Sequence, residues 1–228
     1  MGTVDFMARF KVVEKFVSIN GEGRRAGQLA VFVRFKGCNL NCGYCDTKWA
    51  NEPGAEFEYM SEDDVYRYIK KTRVKNVTLT GGEPLIQEGI YDLLEYLSDD
   101  GELRIEIETN GSVNLERFCS LENRPSFTMD YKLGLSGMED KMDLSNFRFL
   151  GSGDTVKFVV GSREDLERAR RIVEEYSLIG KCAVYLSPVF GAIEPKEIVD
   201  FMIENNLNDI NLQLQLHKFI WAPNQKGV

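Results

Sequence analysis

Three cysteines, Cys38, Cys42 and Cys45, fall close together in the stretch KGCNLNCGYCDTKWA (36–50). A closed structural metal site takes four protein ligands. Three thiolates leave a coordination position free, and the chemistry depends on what fills it. Zinc would need a further Cys or His, and the single histidine, His217, lies far along the chain. Folding could bring it near, so spacing alone leaves zinc open. An iron–sulfur cubane takes one thiolate per iron, and three thiolates would leave one iron open to an organic chelate.

A second constellation follows in VTLTGGEPL, where Thr80, Gly81, Gly82 and Glu83 end an apolar run. Two successive glycines let a ligand approach the backbone with no Cβ in the way. A carboxylate at Glu83 is suited to pairing with an ammonium group. IEIETNG places Glu108, Thr109 and Asn110 at the end of the next apolar run, a pattern that also reads as a plain Asn-Gly turn. The remaining cysteines, Cys119 and Cys182, sit in helix-like and strand-like settings and read as buried structural thiols.

Lys and Arg total 28 against 36 Asp and Glu, a net charge of -8 that argues against nucleic acid as the main partner. No stretch approaches the roughly 20 apolar residues of a membrane span. The N-terminal MGTVDFMARFKVVEKF lacks the apolar run of a secretory leader. A cytoplasmic protein is expected, in which clustered cysteines serve metal or redox chemistry rather than disulfides.

The elements that must hold these groups are short β-branched runs: 29–35, 76–80, 104–109, 126–131, 155–160, 183–187 and 211–216, with RFKVVEKFVSI as a further candidate. Helical patterns lie between them, with Ser61 and Ser162 as N-caps and Pro195 in a first turn. Such alternation predicts parallel strands joined by crossover helices. The strands are too few for a closed eight-unit barrel. The expected fold is therefore α/β, an incomplete TIM-like barrel in one domain over 1–228, with a flavodoxin-like open sheet as the alternative. Ligand sites gather at the C-terminal ends of such strands, where all the motifs above fall.

CNLNCGYC, with its C-x3-C-x2-C spacing, resembles the cluster loop of the radical S-adenosylmethionine (SAM) superfamily, and TGGEP resembles that superfamily's GGE motif. The resemblance implies a radical SAM core: a [4Fe–4S] cluster on Cys38, Cys42 and Cys45, with the amino and carboxylate groups of SAM on the open iron. Gly82 and Glu83 would hold the SAM amino group and Glu108 would lie near its ribose. FTMDYKLGLSGM adds Asp130, Tyr131 and Lys132 as SAM contacts, and YLSPVFG adds Ser187, Pro188, Val189 and Phe190. Residues just after the lysine and just before the proline depart from the usual pattern.

Within the superfamily, FVSINGEGRRAGQLAVFVRFKGCNLNC is similar to the N-terminal segment of the 7-carboxy-7-deazaguanine synthases, a likeness that continues through DYK to LHKFIW. It implies conversion of 6-carboxy-5,6,7,8-tetrahydropterin to 7-carboxy-7-deazaguanine with loss of ammonia. The implied route is hydrogen abstraction by an adenosyl radical and ring contraction, leading toward 7-deazapurines such as queuosine, with SAM recycled. Ile19, Asn20, Gly21, Glu22, Arg34, Thr80 and Pro223 become substrate contacts. Glu22, an acceptor only, would face ring N–H groups, and Arg34 would clamp the substrate carboxylate as a fork. Thr47 would offer its oxygen to Mg2+, a lover of hard oxygen ligands. Asn20 stands where the family usually has Gln. Glu22 and His217 are the candidates for an acid or base. A homodimer and an electron donor such as flavodoxin or ferredoxin are the implied partners. Two other readings compete: an activase for a glycyl-radical enzyme, and a non-catalytic iron–sulfur or zinc module.

Overall fold

A computed structural model describes residues 10–228, so the absence of a leader, read largely on residues 1–9, lies outside the described residues. The chain begins with β1 (Phe10–Ile19), β2 (Leu29–Phe35), α1 (Lys48–Asn51), β3 (Glu58–Met60), α2 (Glu62–Thr72), β4 (Asn76–Gly81), α3 (Ile90–Ser98) and β5 (Arg104–Thr109). It continues with α4 (Glu116–Cys119), β6 (Ser126–Tyr131), β7 (Thr155–Val160), α5 (Arg163–Glu175), β8 (Ala183–Pro188), α6 (Pro195–Glu204), β9 (Asn211–Leu212) and α7 (His217–Ile220).

The nine strands of the described residues form one open sheet in the order β3-β1-β2-β4-β5-β6-β7-β8-β9. From β2 to β9 every pairing is parallel and follows chain order. A flavodoxin-like sheet would reverse its order at a switch point; this one does not, and the incomplete barrel holds. The difference from expectation is at one edge, where β1 and the unforeseen β3 pair antiparallel.

Alternation along the strands separates two faces. Val77, Leu79, Ile105, Ile107, Phe127 and Met129 join one apolar core with Val65, Ile69, Leu93 and Leu97 of the helices. Between them, Thr78, Thr80, Glu106, Glu108, Thr128 and Asp130 point to the opposite face. Burial of the apolar rows is the main source of stability, at about 25 cal/mol per Å² removed from water.

The caps behave as the sequence suggests. Ser61 accepts from the Asp64 N–H at 3.1 Å while Asp64 accepts from the Ser61 N–H at 3.0 Å. Ser162 accepts from the Asp165 N–H at 3.2 Å, and Pro195 opens α6. Such caps are each worth about 1 kcal/mol. Crossovers around β6 fall short of the expected helices: α4 is a single turn, and three 3-10 turns at 134–136, 139–141 and 144–148 join β6 to β7. The segment LGLSGMEDKMDLSN is too rich in Gly, Ser, Asp and Asn to sustain a helix. Among the described residues no helix is long and apolar enough to cross a membrane.

Candidate active site

The C-terminal ends of β2, β4, β5, β6 and β7 open into a cavity of about 800 Å³. Its walls bring together most of the residues singled out in the sequence. Cys38, Cys42, Cys45 and Thr47 line one side, on the loop that leaves β2. Arg34, Thr80, Glu108, Asp130 and Lys132 line it from the strand ends. Ile19 enters from the end of β1 and Gly21 and Glu22 from the β1–β2 loop, and Gly82, Val189, Phe190, His217 and Pro223 also line the wall.

Two tight contacts shape the cysteine loop. The Glu83 N–H donates to the Gly37 carbonyl at 2.9 Å, and the turn packs so closely that a Cβ on Gly82 would overlap that carbonyl. Glycine is required there by space. Cys38 Sγ accepts from the Leu40 N–H at 3.4 Å and from Asn110 Nδ2 at 3.7 Å. Such N–H donors favour a thiolate, whereas burial pushes the Cys38 and Cys42 thiols up. Among the described residues no three His, Cys, Asp or Glu side chains converge as one metal ion would require. The thiols instead share a roomy wall, a donor set that suits a cluster with one open iron.

The β1–β2 loop spans the gap between the first and last parallel strands. The Gly23 N–H donates to Gln213 Oε1 at 2.7 Å, and Gln213 Nε2 returns a bond to the Gly23 carbonyl at 3.0 Å. The Leu216 N–H donates to the Gly21 carbonyl at 3.1 Å. These bonds to the β1–β2 loop take the place of a ladder beyond Leu212, where β9 stops rather than running to 216. Gly21 lies against His217, and a Cβ there would stand 2.5 Å from its Nδ1.

Glu22 is held at the cavity edge, with its side chain only 10 % exposed. Ser187 donates to Oε1 at 2.8 Å; Lys157 and Gln215 donate to Oε2 at 3.1 and 3.2 Å. Burial works against its charge, but Lys157 and these bonds prevail and hold the carboxyl below its usual range. Lys157 also faces Asp130 at 3.6 Å, and Lys132 pairs with Asp130 at 2.8 Å. Burial opposes the Lys157 charge, yet Glu22, Asp130 and Glu108 together raise its pKa well above the ordinary value. Thr80 donates to Glu108 at 2.8 Å, although burial still lifts the Glu108 carboxyl. Burial pushes the His217 imidazole below its ordinary range. Arg34 reaches across the β1–β2 ladder to Glu14 at 2.9 Å.

Five of the expected contact residues do not line the cavity. Glu83 is wholly buried beneath the cavity, with its oxygens committed to main chain and Thr109, so the turn offers the cavity glycine backbone rather than a carboxylate. Asn20 closes its own loop: its N–H donates to the Gln28 carbonyl, its carbonyl accepts from Gly27, and its side chain accepts from Thr78. Tyr131 alternates away from Asp130 and Lys132 and packs in the core against Phe147 and Phe158. Ser187 is buried and turned to Glu22, and Pro188 lies buried within β8.

Glu14, Lys157 and Gln215 are site residues that sequence reasoning passed over. For Lys157 a signal existed, a lone cation inside the apolar TVKFVV.

A sequence profile of the radical SAM superfamily matches residues 32–132. The chain is 61% identical to the 7-carboxy-7-deazaguanine synthase of Clostridium acetobutylicum over 96% of its own length and 99% of that protein. It is 35% identical to the enzyme of the same name from Chlorobaculum tepidum, covering 97% and 98% of the two chains. A crystal structure of QueE from Escherichia coli superposes with a TM-score of 0.69 over 91% of this chain and 94% of that one; at 22% identity this likeness is one of fold.

Proposed function

The chain belongs to the 7-carboxy-7-deazaguanine synthases of the radical SAM superfamily, and from that premise we propose that its cavity takes 6-carboxy-5,6,7,8-tetrahydropterin and releases 7-carboxy-7-deazaguanine and ammonia. One observation carries the reading. Three thiols stand on one wall of a single cavity whose other walls carry Arg34, Glu22 and the charged strand-end row. Family membership displaces the activase and the non-catalytic module.

The thiols of Cys38, Cys42 and Cys45 would hold a [4Fe–4S] cluster. When bound, cluster and SAM supply the hydrogen-abstracting radical, chemistry that no side chain here provides. The protein's own work is placement. Backbone at Gly82 is assigned to the SAM amino group, supported by the place of this turn in the cavity lining. Glu83 braces that turn from below. Glu108, Asp130 and Lys132 provide polar and charged groups for the rest of the cofactor, with Val189 and Phe190 offering apolar contact; Tyr131, Ser187 and Pro188 act from behind that wall.

Arg34 is assigned the substrate carboxylate, a role helped by Glu14, which fixes Nε and leaves the terminal nitrogens for a fork. Glu22 is assigned a ring N–H, with Ile19 and Gly21 beside it and Thr80, His217 and Pro223 at the remaining edge. Asn20 supports this edge through its loop bonds. Thr47 is assigned to Mg2+: its hydroxyl lies at the cavity wall, and the substrate carboxylate and water would supply the other hard oxygens. Holding that carboxylate in place confines the reacting ring to one orientation, where most of the catalytic advantage of a positioning site lies.

One domain over 1–228 is supported by the single sheet and single core of the described residues. A homodimer, a flavodoxin- or ferredoxin-like donor and a cytoplasmic setting complete the reading. The test is anaerobic reconstitution with iron and sulfide, then turnover with SAM, a reductant and the carboxypterin. Formation of 7-carboxy-7-deazaguanine and ammonia is expected; unchanged pterin alongside an intact cluster overturns it.

A further inference from the structure

Lys157 is the most enclosed cation of the cavity, with its side chain 9% exposed in the middle of β7. Elements packed around it present Glu22 from the β1–β2 loop, Asp130 from β6 with Lys132 just after it, and Glu108 from β5. Ser187 of β8, Gln215 after β9 and His217 of α7 face Glu22 from the far side. One ammonium thus stands between a carboxylate assigned to the substrate and carboxylates on the cofactor side.

Counting acceptors gives this arrangement a direction. An ionised carboxylate has about four acceptor positions, and Glu22 accepts from Ser187, Lys157 and Gln215. Oε2 takes two of these bonds and Oε1 takes one, which leaves about one acceptor position on Oε1. A ligand that meets this oxygen must present a donor. A protonated carboxyl would present a donor of its own and lose that discrimination.

We infer that Lys157 is a positioning residue that sets substrate specificity: by pinning Glu22 Oε2 it keeps Oε1 as a pure acceptor for an N–H of the pterin's amino-pyrimidine edge. The inference rests on the assignment of the pterin to Glu22. Replacing the ammonium by a neutral chain removes the charge that offsets burial, which moves the Glu22 carboxyl upward toward its protonated form against the Ser187 and Gln215 bonds that remain. Ligands with an amino group at that edge would lose their advantage over ligands with a carbonyl there.

The experiment is a binding isotherm on cluster-loaded protein with Mg2+ and no reductant, so that no turnover occurs. The probes are 6-carboxy-5,6,7,8-tetrahydropterin and its analogue with oxygen in place of the 2-amino group. Unmodified protein is expected to bind the pterin with the same affinity from pH 6 to 8 and to reject the analogue. Lys157→Met is expected to bind about tenfold more weakly at the acid end of the range, to recover as pH rises and to discriminate less between the probes. Lys157→Arg, which keeps the charge, is expected to retain the flat profile and the discrimination, and it serves if the methionine variant does not fold. Wild-type affinity and selectivity in Lys157→Met, or a uniform weakening at every pH with selectivity intact, overturns the inference alone. So does loss of selectivity in a folded Lys157→Arg. Failure of the unmodified protein to bind the pterin, or full affinity and selectivity in Glu22→Gln, overturns the underlying assignment and the inference with it.

Discussion

The Glu83 carboxylate accepts the Asn110 main-chain N–H at 2.7 Å, joining the turn after β4 to the turn after β5. Leu85 N and Thr109 Oγ1 donate to its other oxygen at 3.0 and 2.9 Å. Residues on two motifs that look independent in the sequence are therefore one structural unit, and the cysteine loop rests on it through Gly37.

Glu83→Ala should cost about 2–4 kcal/mol, since buried N–H donors lose their acceptor. Burial lifts this carboxyl to about 7, above its ordinary value of 4.5. A carboxyl raised on folding contributes stability that is present below about 4.5 and is lost as pH rises toward about 7. Urea unfolding of the cluster-free protein between pH 5 and 8 should show that slope, and Glu83→Ala should lack it. A pH-independent difference between the two proteins would count against the assignment.

Arg34 should not tolerate Lys, because a point charge cannot make the forked pair a carboxylate accepts. Arg34→Lys is expected to raise KM for the carboxypterin by roughly tenfold or more. Glu14→Gln leaves the guanidinium but loosens its anchor, and a smaller rise in KM with kcat unchanged is expected. Steady-state kinetics of the two variants checks this; a loss confined to kcat would place Arg34 away from the carboxylate.

Much of this site could be read before folding because sequence-local groups carry it. Cys38, Cys42 and Cys45 are spaced for one ligand set, and alternation in RIEIET already puts Glu106 and Glu108 on one face. What stayed hidden depends on long-range closure. Lys157 and Glu22 are 135 residues apart and Gly23 and Gln213 are 190 apart, so neither pairing leaves a local mark. Tyr131 misled for the opposite reason: motif resemblance gathers neighbours, whereas strand alternation sends every second side chain to the other face.

Thr47→Ala tests the magnesium assignment without turnover. Pterin affinity of the unmodified protein should rise with Mg2+, and that dependence should vanish in the variant while its affinity without Mg2+ stays within about twofold of the parent. Titration calorimetry at several Mg2+ concentrations makes the measurement. A variant that keeps the full Mg2+ response would move the ion to other oxygens.

Gly21 lies where loop and C-terminal helix meet, so a single added methyl group should report on their closure. In Gly21→Ala the new Cβ would meet His217 Nδ1 at 2.5 Å, and either the imidazole or the loop must withdraw. Both lie on the cavity wall, while the apolar core is elsewhere. The variant should therefore keep its melting temperature within a few degrees and lose pterin affinity several-fold, the cost of a small misplacement at a positioning site. Gly101→Ala is the control, because a Cβ there meets nothing within 4 Å. Thermal melts with binding isotherms on both variants separate the cases. A Gly21→Ala protein that binds like the control would mean that the closure between loop and helix does not shape the substrate site.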